Sequence, residues 1–192
     1  LKDFITSRKI PINCYIAYKG EYKNRIIIPI YINNELVYFQ GRSIDNSIEP
    51  KYKNPSVDKE NIIPNIDKFD KSNNIIITEG YLDSLMIEYN AGTCILGASL
   101  NDSFITKVKN KTDKNIIICL DNIRIDEGAR NGLERFFKNS KTYKELKYFI
   151  PPKIYKYKDL NELRKNSDIN IYDFVSENCY SYFYLKSLLK MI

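Results

Sequence analysis

Two apolar, β-branched runs each end in a carboxylate. Residues 74–78 (NIIIT) run into Glu79, and residues 115–120 (NIIICL) run into Asp121. Asp83 comes four residues after Glu79, Asp126 lies in the loop after Asp121, and Asp159 stands beyond a Pro-Pro turn. In an open α/β sheet, ligands bind beyond the carboxyl ends of the strands, and adjacent parallel strands are ~4.8 Å apart. Glu79 and Asp121 therefore converge on one point if their strands are neighbours, with the other three acids around the same cleft. Carboxylates gathered in this way repel one another unless cations sit among them. Hard oxygen donors select Mg²⁺ or Mn²⁺, and a basic chain that assembles them holds such an ion against phosphates. The plain alternative is that each acid is a helix N-cap or a solvated loop residue, Asp83 by capping its own helix or favouring its dipole.

Other chemistries are excluded by composition. The 192 residues include no histidine, which removes Ser-His-Asp and Cys-His catalysis, His-ligated zinc and imidazole proton shuttling. The cysteines, Cys14, Cys94, Cys119 and Cys179, form no C-x-x-C pair, so a zinc ribbon is not expected and free thiols are. A net charge of +6 permits a polyanionic partner without requiring one. No apolar run approaches the ~18 residues of a membrane span. The chain starts at Leu1 with no signal-peptide pattern, so a cytoplasmic piece of a longer protein is expected. The abundance of Ile, Asn, Lys and Tyr reads as an AT-rich coding bias.

The elements that must position these acids follow from periodicity. Residues 1–19 read as a short helix leading to a strand. Residues 24–32 and 36–42 read as strands joined by an Asn33-Asn34 turn, since Asn tolerates positive φ. Residues 43–70, polar and proline-bearing, read as loops and short elements and not as a long helix. Beyond about residue 72 the pattern alternates. Strands are expected at 74–78, 93–96, 115–120 and 146–150. Helices are expected at 83–90 (with Gly92 closing it), 102–109, 127–139, 159–165 and 171–191. That alternation predicts an α/β fold with a parallel-containing sheet. The chain divides into residues 1–71 and residues 72–192.

The acids and their flanks also match a family. Ile76-Ile77-Thr78-Glu79-Gly80-Tyr81-Leu82-Asp83 resembles the EGxxD signature of Toprim domains, the Rossmann-like fold shared by DnaG-type primases, topoisomerases and some nucleases. Residues 24–42 (NRIIIPIYINNELVYFQGR), followed by Pro50-Lys51-Tyr52-Lys53-Asn54-Pro55, resemble the small basic α+β subdomain that precedes Toprim in DnaG-type primases. Lys158-Asp159-Leu160-Asn161-Glu162 resembles their third acidic motif. The likeness runs from about residue 22 to about residue 166. Two positions depart from it. Ile123 stands where a D-x-D motif has its second Asp, with Asp126 a replacement across a short insertion, and Asn161 stands where a second acid is usual.

The resemblance implies a primase catalytic core that makes short RNA primers on single-stranded DNA from ribonucleoside triphosphates, with Mg²⁺ or Mn²⁺. It implies Glu79, Asp83 and Asp121 as catalytic residues, and Glu79, Asp121, Asp126, Asp159 and Asn161 around the metal. Arg42, Lys51, Tyr52, Asn54 and Arg25 become the nucleotide and template wall, and Gly80 lets the chain turn tightly behind Glu79. Lys53, Lys59, Lys68 and Lys71 are expected on a solvated face, and Tyr180, Tyr182, Phe183 and Tyr184 in helix packing. The resemblance further implies a replicative helicase partner met through regions not in this chain, and with the AT-rich bias a phage or plasmid origin in a host cytoplasm. The competing readings are a Toprim nuclease using the same acids, and a degenerate Toprim nucleic-acid-binding module.

Overall fold

The computed structural model describes residues 2–45, 47–59 and 61–189. After a short helix, α1 (Lys2–Arg8), come four antiparallel strands in the order β1 (Tyr15–Ala17), β2 (Arg25–Ile32), β3 (Glu35–Ser43) and β4 (Tyr52–Lys53). The β2–β3 hairpin turns on Asn33 and Asn34, both left-handed (φ 51° and 64°), the pair of conformations that matches the twist of the strands it joins.

A second sheet follows, built from β5 (Ile75–Thr78), β6 (Gly92–Cys94), β7 (Ile116–Ile118), β8 (Lys147–Phe149) and β9 (Cys179–Ser181). Its order is β6-β5-β7-β8-β9; the first four strands are parallel, and β9 runs antiparallel to β8. The helices are α2 (Tyr81–Ser84), α3 (Asp102–Lys109), α4 (Glu127–Asn139), α5 (Leu160–Asn166), α6 (Ile171–Glu177) and α7 (Tyr182–Leu189). From β5 the chain goes to β6 on one side and then crosses to β7 on the other. The strand order thus reverses between β5 and β7, where open sheets bind their ligands.

Both faces of this sheet are buried, which is why its strands read as unbroken isoleucine runs. Ile75, Ile77, Ile116 and Ile118 face one core with Phe104, Leu133, Phe136 and Leu185. Ile76 and Ile117 face another with Leu82, Leu163 and Phe174, and there Ile26, Ile28 and Ile30 of the first sheet join them. The two sheets therefore share a core.

Four sequence expectations are corrected. The helix at 83–90 is instead α2, only Tyr81–Ser84, followed by turns that end in left-handed Tyr89 and Asn90 (φ 60° and 52°). Those turns are held by tertiary bonds: Arg164 donates to the Met86 carbonyl at 2.9 Å and is ion-paired with Glu88, whose carboxylate also accepts the Tyr172 N–H at 2.9 Å. Gly92 does not close the helix. It is the first residue of β6, and a Cβ there would lie 2.2 Å from the Ser84 carbonyl oxygen. The helix at 171–191 is broken into α6, β9 and α7, because Asn178 leaves helical geometry and Cys179–Ser181 pair with β8; residues 190 and 191 lie outside the described residues. Lys59 is also not simply solvated, since its Nζ donates to the Leu96 carbonyl at 2.8 Å. Among the described residues no helix is long and apolar enough to cross a membrane.

Candidate active site

Because β5 and β7 are neighbours, Glu79 and Asp121 leave the sheet side by side at its switch point. A cleft of about 490 Å³ opens there. One wall carries Glu79, Asp83, Asp121, Asp159 and Asn161; the facing wall, from the first sheet and the loop after it, carries Arg42, Lys51, Tyr52 and Asn54. Nine of the eleven residues read from the sequence thus meet in one cleft, and Asp126 and Arg25 do not line it. Behind Glu79 the Thr78 hydroxyl donates to the Gly80 carbonyl at 2.9 Å. Gly80 has an extended backbone (φ −103°) that any residue could adopt. Its use is room rather than freedom, because a Cβ would lie 2.9 Å from Asp83 Oδ2.

The acids hold one another up in pKa. Burial and then the charge of Asp159 push the Asp83 carboxyl up to about 8, so it carries a proton at neutral pH. Its Oδ1 accepts the backbone N–H of Asn161 at 2.9 Å, tying α2 to the start of α5. Burial, Glu79 and Asp159 push Asp121 up to about 6. Burial and Asp126 raise Glu79. Two acids also act as helix caps: Asp126 Oδ1 accepts the Ala129 N–H at 2.8 Å, and Asp159 Oδ1 accepts the Glu162 N–H at 2.7 Å. The Ala129 bond and Lys158 hold Asp126 below the usual carboxylate range.

Lys158, which sequence reasoning passed over, is the cation nearest these acids. Its Nζ lies 3.1 Å from Asp126 Oδ2 and 3.7 Å from Asp121 Oδ2. Its backbone is pinned on both sides, the N–H donating to the Glu162 carboxylate and the carbonyl accepting the Asn122 N–H, each at 2.7 Å. The bond to Asp126 and the charges of Asp126 and Asp121 raise its pKa. Ile123 is 2% exposed and packs in the core with Ala129 and Leu133, so no oxygen is offered from that position.

The donor set suits a hard divalent cation. It is all oxygen, and burial first and then neighbouring acids raise the carboxyls of Glu79 and Asp121, a cost that a cation relieves. Among the described residues no three acids form a cage of their own. An ion held here would complete its shell from water and phosphate, the habit of Mg²⁺.

On the opposite wall the Arg42 guanidinium bonds the Tyr52 hydroxyl and lies 5.2 Å from the centre of its ring and 5.3 Å from that of Phe4. Among the described residues neither Arg42 nor Lys51 has an ion-pair partner. Arg8, at the end of α1, stacks on the same Phe4 ring at 4.5 Å and is close enough to Arg42 for the like charge to lower its pKa, after burial. Asn54 Oδ1 and Asn161 Nδ2 are buried with no hydrogen-bond partner among the described residues. Paired walls with orphaned polar atoms are what a polar ligand leaves to fill.

Arg25 is corrected. It is 3% exposed, and its guanidinium donates to the carbonyls of Pro50 (2.7 Å), Gly41 (3.3 Å) and Glu49 (3.3 Å). It fastens the loop that carries Lys51 instead of meeting solvent or ligand. Sequence reasoning also missed Arg8, Gln40 and Lys59, of which the last two line the cleft. Lys158 had a signal, its place beside Asp159 in the third motif, whereas Arg8 reaches the site through tertiary packing alone.

No protein-family model matches the chain, and no curated protein does. Solved structures do. The E. coli primase catalytic core aligns over 100% of this chain and 64% of its own, with TM-score 0.67 and 19% identity. A DNA primase domain from Pseudomonas aeruginosa aligns over 97% and 62%, with TM-score 0.68 and 15% identity. A DnaG primase catalytic domain bound to single-stranded DNA aligns over 100% and 63%, with TM-score 0.69 and 17% identity. The chain has the fold of the DnaG primase catalytic core and spans under two thirds of the length of these structures.

Proposed function

We propose that this chain is the catalytic core of a DNA primase, joining ribonucleoside triphosphates into short RNA primers on a single-stranded DNA template. The observation that carries the reading is the cleft itself: an acid pair at the switch point faces Arg42 and Lys51, which have no ion-pair partner among the described residues, across about 490 Å³. A triphosphate needs both walls, cations for its phosphates and carboxylates for its metal. The fold and its DNA-bound neighbour support the template.

Glu79, Asp121, Asp159 and Asn161 would hold Mg²⁺ or Mn²⁺, with Asp126 beside them sharing Lys158. Such an ion lowers the pKa of the attacking hydroxyl and neutralises the leaving pyrophosphate. Glu79, its carboxyl raised by burial, takes the 3′-hydroxyl proton on a carboxylate oxygen. Arg42 and Lys51 hold the β- and γ-phosphates, Tyr52 orients Arg42, and Asn54 meets the nucleotide with its orphaned oxygen. Asp83, neutral at pH 7, fixes the backbone of Asn161. Residues 1–71 act as the basic wall and residues 72–192 as the Toprim part. The rest of the reading is a helicase met through other regions, a phage or plasmid source and a host cytoplasm.

The test is labelled primer synthesis on single-stranded DNA with Mg²⁺ or Mn²⁺. Glu79→Gln should abolish it in a folded protein. Lys51→Ala should raise the KM for nucleotide while single-stranded DNA binding and its salt dependence change little. Cleavage of DNA in the absence of nucleotide, with no synthesis, would replace this reading by the nuclease one.

A further inference from the structure

We propose that a second, smaller hollow beside Glu79 seats the nucleoside that supplies the attacking 3′-hydroxyl. The inference rests on the primase reading and gives its second substrate a place. The hollow measures about 220 Å³ and lies between residues 95–100 and the exposed side of α4. Glu79 lines both it and the main cleft, so this residue stands where the two meet.

The two cavities differ in chemistry as two substrates would. The main cleft carries Arg42, Lys51, Lys59 and Lys158, a setting for a polyphosphate. The smaller one has Arg135 at its rim and apolar walls from Ile95, Leu120 and Phe136. Ile95 and Leu120 are only half-buried, so apolar surface is left facing the hollow. Apolar walls with polar groups beside them, here Ser99, Asn139 and Arg135, suit a nucleobase, which has apolar faces and polar edges, and the volume admits one.

Gly132 forms part of the floor. A Cβ there would meet only Leu120 Cδ1, at 3.9 Å, which is ordinary contact. Packing does not demand glycine, and the interior of a helix disfavours it. The open space is therefore not a by-product of close packing.

Joining two nucleotides requires that both reach one base. The O3′–H of the nucleoside in the hollow gives its proton to Glu79. The O3′–Pα bond forms on the triphosphate in the main cleft, and the bond from Pα to the bridging oxygen breaks, releasing pyrophosphate. Glu79, shared by the two cavities, stands where that proton is released.

The experiment supplies the two substrates separately, a dinucleotide with a free 3′-hydroxyl as acceptor and a labelled ribonucleoside triphosphate as donor, on a matching template. Gly132→Leu should raise the acceptor KM tenfold or more, leave the donor KM within about twofold, and not lower the melting temperature. Gly132→Ala, whose added methyl makes only ordinary contact, should raise the acceptor KM much less than Gly132→Leu does. Arg135→Ala should raise the acceptor KM severalfold. Equilibrium dialysis of the labelled dinucleotide without metal should show binding to the wild type and its loss in Gly132→Leu. Ala98→Leu narrows the hollow from the opposite wall, carries the same expectation, and decides the matter if Gly132→Leu does not fold. An unchanged acceptor KM, or a rise confined to the donor KM, overturns the inference and leaves the primase reading standing. A wild type that makes no phosphodiester bond with either metal overturns the primase reading itself.

Discussion

Asp121→Asn should make the metal-free protein more stable at pH 8 while destroying its activity. The Asp121 side chain is 22% exposed and its carboxyl is pushed from an ordinary 3.8 up to about 6 by burial and by its acidic neighbours. Ionising it in the folded state therefore costs about 3 kcal/mol more than in the unfolded chain. Residual exposure trims that to roughly 1–3 kcal/mol. The folded carboxyl keeps its proton up to about pH 6, whereas the unfolded one releases it near pH 4. Between these values the folded state binds more protons, so stability falls as pH rises, and the full cost is present at pH 8. Asparagine has the same shape and no charge, so it removes the cost. With a urea slope of about 2 kcal/mol per molar, the unfolding midpoint should move up by roughly 0.5–1.5 M at pH 8. At pH 4 wild type and variant should coincide, because Asp121 is then protonated in the folded wild type. Added Mg²⁺ should stabilise the wild type at pH 8 and the variant much less. A variant no more stable than wild type at pH 8, or an equal gain at pH 4, would refute the reasoning that burial and neighbouring acids make the Asp121 charge costly.

The remaining expectations concern single side chains. Arg25→Ala should lose about 3–5 kcal/mol by urea denaturation, because three carbonyls lose a buried charged donor, while the nucleotide KM of the folded fraction stays put. Ile123→Asp should not restore a metal ligand; a carboxylate at that core position should cost about 3–5 kcal/mol, seen as a fallen urea midpoint with no tighter Mn²⁺ binding. Lys158→Gln should tighten Mn²⁺ binding about three- to tenfold, read as free Mn²⁺ by electron paramagnetic resonance, since the ammonium no longer shares Asp121 and Asp126.

What the sequence made legible was whatever local pattern determines. Strands β5 and β7 are buried on both faces and can only be written as apolar runs, so the acids that follow them were found together. Helix α4 was read end to end because Asp126 caps it and Leu133 and Phe136 mark its inner side. The β2–β3 turn announced itself through Asn33 and Asn34. What was missed depends on partners distant in sequence. Strand β9 exists because β8 lends it hydrogen bonds, and its three residues carry no strand signal of their own. Helix α2 stops early because Arg164, far along the chain, takes the Met86 carbonyl. Arg25 looks like any surface arginine until the carbonyls of residues 41, 49 and 50 close around it. Ile123 and Lys158 show both cases at once: a motif position turns into the core, and a residue that the third motif contains without assigning it a role supplies the charge.

The isoleucines of β2 lie in the same core as Ile76 and Ile117 of the second sheet. The basic and acidic walls of the cleft are thus the two outer lips of a single oily joint. Such a joint does not slide by degrees, because close-packed interiors resist partial opening. The width of the cleft between Arg42 and Asp121 is then set when the chain folds, and the two walls are not a pair of jaws. Substitutions at the buried seam, far from any phosphate, would change the gauge.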